Sequence, residues 1–273
     1  GISGCDDHAA GDPFPEVAGR GIAALRGAGI EVEVGLLAAD AERLTAAFRT
    51  LVTHGRPWVI AKWAASLDGR LTTGPGQDRW ISSPESRDLV HDLRTRVDAV
   101  AVGIGTALAD DPMLTARPAE AATAGPRRPL RIVLDGRARL PLTSALVRTA
   151  REVPVLVATG PDAAPDRIAA LERAGCEVWR ATAPDAAGRT HALLAELGRR
   201  RLTHLLVEGG ATVLAGMFAA GQIDEVWAFV APLILGGGGT TAGTPPPPAD
   251  PRRLAVESVT FPGGDILVRG TVR

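Results

Sequence analysis

The chain has 273 residues, of which 45% are hydrophobic, and carries a formal net charge of −1. That is enough apolar material for one large domain, or one domain plus a fragment. The near-neutral balance, the lack of a Lys/Arg-rich block and the scatter of five Trp and five Phe exclude a nucleic-acid surface or an anionic membrane as the main partner.

Two cysteines, Cys5 and Cys176, stand far apart with no ligand-like neighbours, as expected of a chain in the reducing cytoplasm. No apolar run approaches the ~20 residues that a membrane helix needs. The segment Gly1-Ile2-Ser3-Gly4-Cys5 has neither the basic nor the apolar part of a signal peptide. The first residue is not Met, which points to a piece of a longer chain or a processed one.

Residues 1–20 are polar and turn-rich. A short helix is expected over Gly21–Gly29, a strand over Ile30–Val34, and a helix from Asp40, as its cap, to about Thr53. On that second helix Leu44, Ala47, Phe48 and Leu51 form the apolar stripe. This first block is too small to bury a core by itself.

Trp58–Ala65 then reads as a buried strand with one lysine, Lys62, in its middle. A helix follows from Ser83-Pro84 to about Val97, a strand over Asp98–Gly103, a loop over Gly105–Arg117 and a strand at Leu130–Leu134. Further on, strands at Val153–Ala158, Cys176–Trp179 and His204–Val207 alternate with helices at Pro165–Ala174, Thr190–Arg199 and Ala211–Ala220. Asp224–Val230 is a strand, Pro245–Pro248 an extended surface segment, and Leu254–Thr260 with Asp265–Thr271 an antiparallel pair. Strands alternating with helices imply a mostly parallel α/β sheet with helices on both faces; the unseparated last strands imply an antiparallel C-terminal edge.

Two places carry chemistry. Lys62 puts an ammonium inside an apolar run, which is costly without a partner or a task. Taken alone, such a lysine is more often one that reaches water. Val207-Glu208-Gly209-Gly210-Ala211-Thr212 is strand, Gly-Gly turn and helix. Its glycines admit a close backbone approach and its helix start offers free N–H groups to a phosphate. It is not the Gly-x-Gly-x-x-Gly dinucleotide fingerprint. Glu208 sits at the strand's carboxyl end, where open α/β sheets bind ligands. Arg94 and Arg117 are candidates for anion capture. Asp110-Asp111-Pro112 lacks a third metal ligand and reads as a turn. His54, His91, His191 and His204 show no metal spacing, and Gly-x-Ser-x-Gly is absent.

Six segments in order make the chain resemble the reductase half of the bifunctional riboflavin-biosynthesis deaminase/reductases, the RibD family. They are Ala65–Arg70, Trp80–Pro84, Thr106–Arg117, Arg131–Asp135, Val207–Gly210 and Ala231–Gly237, within about residues 56–273. The resemblance implies a dihydrofolate-reductase-like fold, NADPH as hydride donor and a homodimer. It implies reduction of the ribose of 5-amino-6-(5-phosphoribosylamino)uracil to the ribityl chain.

Carried over by position, Ala64, Trp80, Thr106, Asp110 and Gly136 would touch the cofactor, and Gly210, Ala211, Thr212, Val213, Leu214, Ala215 and Gly216 its phosphates. Asp78, Arg94, Leu114, Arg117 and Glu208 would touch the substrate, with Arg94 and Arg117 on its phosphate. At Asp78 the family more often has a hydroxyl residue, and at Gly136 it can have a serine. Lys62 and Asp68 are expected to give polar assistance at the reacting centre, and Arg137 or Arg139 to meet the cofactor's 2′-phosphate.

Residues 1–55 resemble the end of the deaminase half, but the zinc signature His-x-Glu with Pro-Cys-x-x-Cys is absent. No metal and no deaminase activity are therefore expected, and a separate deaminase is a possible partner. The alternatives are a reductase of this fold acting on another pterin- or pyrimidine-like substrate, and a non-catalytic remnant.

Overall fold

The computed structural model describes residues 19–73, 80–116, 128–236 and 252–273. The chain divides into two compact units, residues 1–58 with 195–203, and residues 59–194 with 204–273.

The smaller unit carries α1 (Arg20–Gly27) and α2 (Ala38–His54). The strand expected at Ile30–Val34 is reduced to one bridge residue, Val34. Of the three residues on its apolar face, Val32 is buried while Ile30 and Val34 are exposed, so the face lacks the cover that sustains a strand. Asp40 does not cap α2. Leu37 precedes the helix with a φ of 52°, and Asp40 falls in the first turn, where it pairs with Arg43. Of the expected inner stripe, Ala47 is buried while Leu44 and Phe48 are exposed; Thr50 is buried beside Ala47.

The larger unit is built on a nine-stranded sheet. Its strands are β1 (Trp58–Ser66, from Val59 on), β2 (Ala99–Gly103), β3 (Leu130–Leu134), β4 (Val155–Thr159), β5 (Glu177–Arg180), β6 (His204–Val207), β7 (Glu225–Ala231), β8 (Leu254–Thr260) and β9 (Ile266–Val272). Their order is β5-β4-β3-β2-β6-β1-β7-β9-β8. β2 pairs in parallel with β3 and β6, β4 with β3 and β5, and β1 with β7; β9 is antiparallel to β7 and β8. The expected mostly parallel sheet with an antiparallel C-terminal edge is therefore present. β2 and β4 are buried at every residue, the mark of parallel strands covered on both faces.

The helices are α3 (Pro84–Arg96), α4 (Ile104–Asp110), α5 (Ala145–Arg148), α6 (Pro165–Arg173), α7 (Ala186–Arg199, which runs on into the smaller unit) and α8 (Ala211–Ala219). α4 occupies a stretch expected to be loop. It follows β2 directly, buries Ala107 and stops before Asp111-Pro112, so a single turn of apolar contact suffices to form it.

The Trp80–Pro84 segment turns out to be a structural joint. Ser83 Oγ accepts from Ser86 N–H at 3.1 Å and caps α3, with Pro84 at the first helical position. Asp265, at the start of β9 and 3% exposed, accepts from Ser83 N–H and from Ser86 Oγ, each at 2.7 Å. The carboxylate thus ties the helix start to the antiparallel edge. Asp265→Ala should leave both donors without an acceptor and cost about 2 kcal/mol in urea unfolding; a loss under a few tenths would mean that the joint carries no load.

Candidate functional site

β6 lies between β2 and β1. The chain leaves β2 toward β3, β4 and β5, and leaves β6 toward β7 on the other side. Where the exits of parallel strands diverge, a crevice opens at their carboxyl ends. Here it is bounded by Gly103 and α4 on one side, and by Glu208-Gly209-Gly210 and α8 on the other. A Cβ at Gly103 would lie 2.7 Å from Val213 Cγ2, and one at Gly209 3.2 Å from Val213 Cβ, so the two turns approach only as glycines. Gly210 N–H donates to Thr106 Oγ1 at 3.1 Å, joining α8 to α4.

Gly210 caps α8 without a side chain. The N–H groups of Ala211 and Thr212 have no acceptor within the helix. Those of Val213 and Leu214 turn back to Gly210 O at 3.0 and 3.4 Å. A side-chain-free turn, free N–H groups and the positive end of a helix dipole suit a nucleotide pyrophosphate. The expected phosphate run Gly210–Gly216 covers this turn and the first six residues of α8. Leu214 is buried in the core, and Ala215 and Gly216 lie one turn further along the helix.

Beside this turn sits a charged cluster. Glu208 receives Arg94 in a fork, Nε to Oε1 at 2.5 Å and Nη2 to Oε2 at 2.8 Å, while Arg94 Nη1 donates to Thr115 O at 3.1 Å. Both side chains are nearly buried, 13% and 10% exposed. Burial pushes the Glu208 carboxyl up, but the Arg94 guanidinium, aided by Lys62 and His91, holds it below the ordinary glutamate value. Burial works against the Arg94 charge too, and Glu208 outweighs it, so its pKa is raised. Arg94, expected on the substrate phosphate, gives three of its five N–H donors to Glu208 and Thr115 and so holds the carboxylate.

Lys62 lies on β1, paired with Trp227 of β7. It makes no hydrogen bond among the described residues, and its Nζ stands 5.7 Å from the centre of the Phe229 ring. Burial pushes its ammonium below the ordinary lysine value; Glu208 opposes this and Arg94 adds to it. Ala64, opposite Phe229, shares the face of Lys62, while Trp63 on the other face packs edge-on against Phe218 of α8, with ring centres 6.2 Å apart.

Asp68 does not join this cluster. It lies past Ser66, and Ser66 is itself ~13 Å along the strand from Lys62. Its Oδ1 accepts from Ser66 Oγ at 2.6 Å and Leu235 N–H at 3.1 Å, and its Oδ2 from Gly236 N–H at 2.9 Å. Led by the Ser66 hydroxyl, these donors bring its pKa down to about 2. A carboxylate so held is no proton donor at neutral pH, and its observed contacts organise the turn that follows β1.

Leu114 is 3% exposed, with a φ of 51°. The loop around it has three anchors. Asp111, with a φ of 40°, accepts from Ala145 N–H at 2.8 Å; Arg131 Nη1 donates to Met113 O at 3.2 Å; Arg94 reaches Thr115 O. Arg131 is fully buried and also binds Thr149 Oγ1, Thr149 O and Val153 O. Two non-glycine residues in the left-handed region cost about 1–3 kcal/mol each unless the surroundings hold them. The sequence reads Asp111 as part of a turn, gives Arg131 no site role and offers no sign of Phe229, and no local pattern announces what they hold.

The other expected positions are spread around the crevice. Asp110 is exposed at the end of α4, Gly136 follows β3, and Trp80 is 48% exposed with the Arg87 guanidinium 4.8 Å from its ring centre. Asp78, Arg117 and the Pro245–Pro248 run lie outside the described residues. Among the described residues, no group of three or more His, Cys, Asp and Glu could hold a metal ion, and no helix is long and apolar enough to cross a membrane.

A family model described as "RibD C-terminal domain" matches residues 57–268. The riboflavin biosynthesis protein RibD of Aquifex aeolicus is 37% identical over 227 residues, covering 82% of this chain and 60% of that protein. The chain thus spans about three fifths of the curated relative's length. Among solved structures, RibD of Acinetobacter baumannii (form 1) superposes with a TM-score of 0.82 at 30% identity, covering 98% of this chain and 72% of the other. A diaminohydroxyphosphoribosylaminopyrimidine deaminase/5-amino-6-(5-phosphoribosylamino)uracil reductase from Thermotoga maritima gives 0.78 at 30% identity, covering 98% and 71%.

Arg94→Met keeps the apolar stem and removes the partner of Glu208. It should cost about 3 kcal/mol at neutral pH, because a buried carboxylate is left uncompensated. A carboxyl whose pKa is depressed on folding stabilises the fold above its ordinary value of 4.5, and loses that contribution as pH falls through the lower folded value. The gap between variant and wild type should therefore narrow in urea unfolding at pH below 4.5; a gap unchanged with pH would place the loss elsewhere.

Proposed function

The chain belongs to the family of RibD C-terminal domains, and from that premise we propose that it reduces the ribose of 5-amino-6-(5-phosphoribosylamino)uracil to the ribityl chain with NADPH. The observation that carries this reading is the half-buried Lys62 facing the clamped Glu208 at the crevice that ends in the Gly209-Gly210 turn. Gly210, Ala211 and Thr212 would hold the cofactor's pyrophosphate, and Ala64 offers a small side chain where a flat ring can approach β1.

When bound, NADPH supplies the hydride. The sugar presents an electrophilic carbon most simply in its open-chain form, with a C1′=N bond. Hydride adds to C1′ and a proton to the nitrogen, so one proton is consumed per turnover. Glu208, ionised and immobile, accepts hydrogen bonds from the substrate and fixes its orientation. Lys62, an ammonium with a weakened hold on its proton and no hydrogen bond among the described residues, donates to the substrate and is the group suited to release a proton as charge develops. Leu114, in its anchored loop, closes the site against the substrate, and Arg117, with the remaining N–H donors of Arg94, is the candidate for the substrate phosphate.

Support for a homodimer comes from the open edge of the sheet. Val256, Val259 and Phe261, on and just after β8, are 58%, 50% and 70% exposed, an apolar strand edge that a second copy would cover. The cytoplasm suits a chain whose described cysteine, Cys176, is buried and free. A separate deaminase would supply the substrate.

Lys62→Met should lower kcat by about 100-fold or more while the KM for NADPH changes little, because the lost contact acts in the transition state. Substrate-dependent NADPH oxidation at a fixed enzyme concentration measures it. An unchanged kcat in a folded variant would reduce Lys62 to a lining residue.

A further inference from the structure

Lys62 is the sole lysine among the 30 Lys and Arg residues of the chain. Arginine, whose proton is fixed, supplies the positive charge everywhere else. A lone lysine offers what arginine does not, a proton that can leave.

β1 and β7 run in parallel, with Lys62 opposite Trp227 and Ala64 opposite Phe229. The four residues share one face of the sheet. Lys62 does not lie square against Trp227. Its Nζ stands over the Phe229 ring, 5.7 Å from the centre, along a diagonal whose backbone span is ~8 Å from the spacing and rise of the strands. The side chain thus leans toward the carboxyl ends of the strands, where Glu208 follows β6. Ala64 is too small to stand between the ammonium and the ring. Phe229 is 1% exposed and is backed by Leu267, its β9 partner, at 2%, so the ring has a fixed place.

Trp227 is engaged elsewhere. Its Nε1–H donates to Glu225 Oε1 at 2.6 Å, and the Arg269 guanidinium of β9 stands 4.1 Å from its ring centre. Arg269 Nη2 lies 3.6 Å from the same Glu225 oxygen. Two cations on this face are therefore sorted between two rings. Arg269 has a ring and a carboxylate, which neutralises its charge on the spot. Lys62 has a ring at contact distance, and Glu208 acts on it without a hydrogen bond.

That difference bears on proton transfer. A carboxylate at hydrogen-bond distance would take one N–H and lock the ammonium in its charged form. An aromatic face attracts the charge through its quadrupole and takes no proton. Resting on the reductase reading proposed above, we infer that Phe229 is a positioning residue of the reaction, whose ring holds the Lys62 ammonium at the crevice and leaves its N–H groups to the substrate. The ring favours the charged form and so offsets part of the burial that works against it. The ionisable groups that bear on Lys62 are Glu208 and Arg94, with His91 of α3 acting through Glu208. Glu225 and Arg269 face the same side from β7 and β9 as a pair. A change at Phe229 alters none of them.

The test is an NMR titration of the full chain carrying ε-carbon-labelled lysine, in which Lys62 gives the one lysine signal. Phe229→Leu keeps apolar bulk and removes the ring. The Lys62 pKa should fall by about 0.5 to 1, because the charged form loses its partner. Trifluorophenylalanine at position 229 keeps the shape, weakens the negative face of the ring and should lower the value in the same direction. Trp227→Leu should leave it in place, since that ring belongs to Arg269. In kcat against pH, activity falls as an ammonium donor loses its proton, and this alkaline limb should move to lower pH by the same amount in the Phe229 variants. A Lys62 pKa unchanged or raised in either Phe229 variant, or lowered as far by Trp227→Leu, would overturn the inference. The titration needs no substrate, so the two readings fail separately. A ring-dependent pKa in a chain that does not reduce the aminouracil would sink the reductase reading alone, whereas turnover with a pKa indifferent to the ring would sink the role of Phe229 alone.

Discussion

The structure of the candidate site depends on one buried ion pair. Glu208 leaves the end of β6 with little access to water, and a carboxylate there would be costly on its own. Arg94 meets it with two parallel hydrogen bonds from α3 and spends a third donor on Thr115 O. One guanidinium therefore joins a helix, a strand end and the Leu114 loop. It also sets the field in which Lys62 sits. The carboxylate favours the ammonium and the guanidinium disfavours it, and burial tips the balance below the ordinary lysine value. A charged acceptor and an ammonium whose pKa is lowered by burial then face one crevice.

Around this pair the recurrent short segments act as joints. The Ser66-Leu67-Asp68-Gly69-Arg70 turn and the Ala231–Gly236 segment are partners. Leu67 N–H donates to Leu233 O at 2.8 Å, and Asp68 accepts from Leu235 and Gly236. The Trp80–Pro84 segment is fastened by Asp265. Arg131, fully buried, ties the carbonyls of Met113, Thr149 and Val153 together. Such anchors let a loop hold Asp111 and Leu114 in left-handed conformations at the edge of the site, where flexibility would blur the geometry.

The alternating strands and helices were legible from residue 58 onward because parallel strands read as continuous apolar runs and helices as spaced ones. The Glu208-Gly209-Gly210 turn was legible because its chemistry is local. The role of Arg94 was not, since its partner lies 114 residues away and nothing near Arg94 in the chain marks it. The partners of Asp68 were hidden for a related reason. A carboxylate in a Ser-x-Asp-Gly turn looks the same whether it faces a substrate or the amides of a distant loop. α4 was missed because seven residues after a strand give too short a period to recognise. In the smaller unit, Leu44 and Phe48 followed helical spacing and still came out exposed, as periodicity reports which residues share a face but not whether anything covers it.

The central claim is that hydride reaches the first sugar carbon of the aminouracil ribosyl phosphate in the crevice between Lys62 and Glu208. The most direct measurement is turnover of that substrate by the purified chain with NADPH deuterated at the transferring carbon, followed by mass and NMR analysis of the product. The account predicts one deuterium per ribityl product, located at C1′, with that product formed about 100-fold more slowly by Lys62→Met under the same conditions. Substrate-independent oxidation of the cofactor, or deuterium at any other carbon, would contradict it.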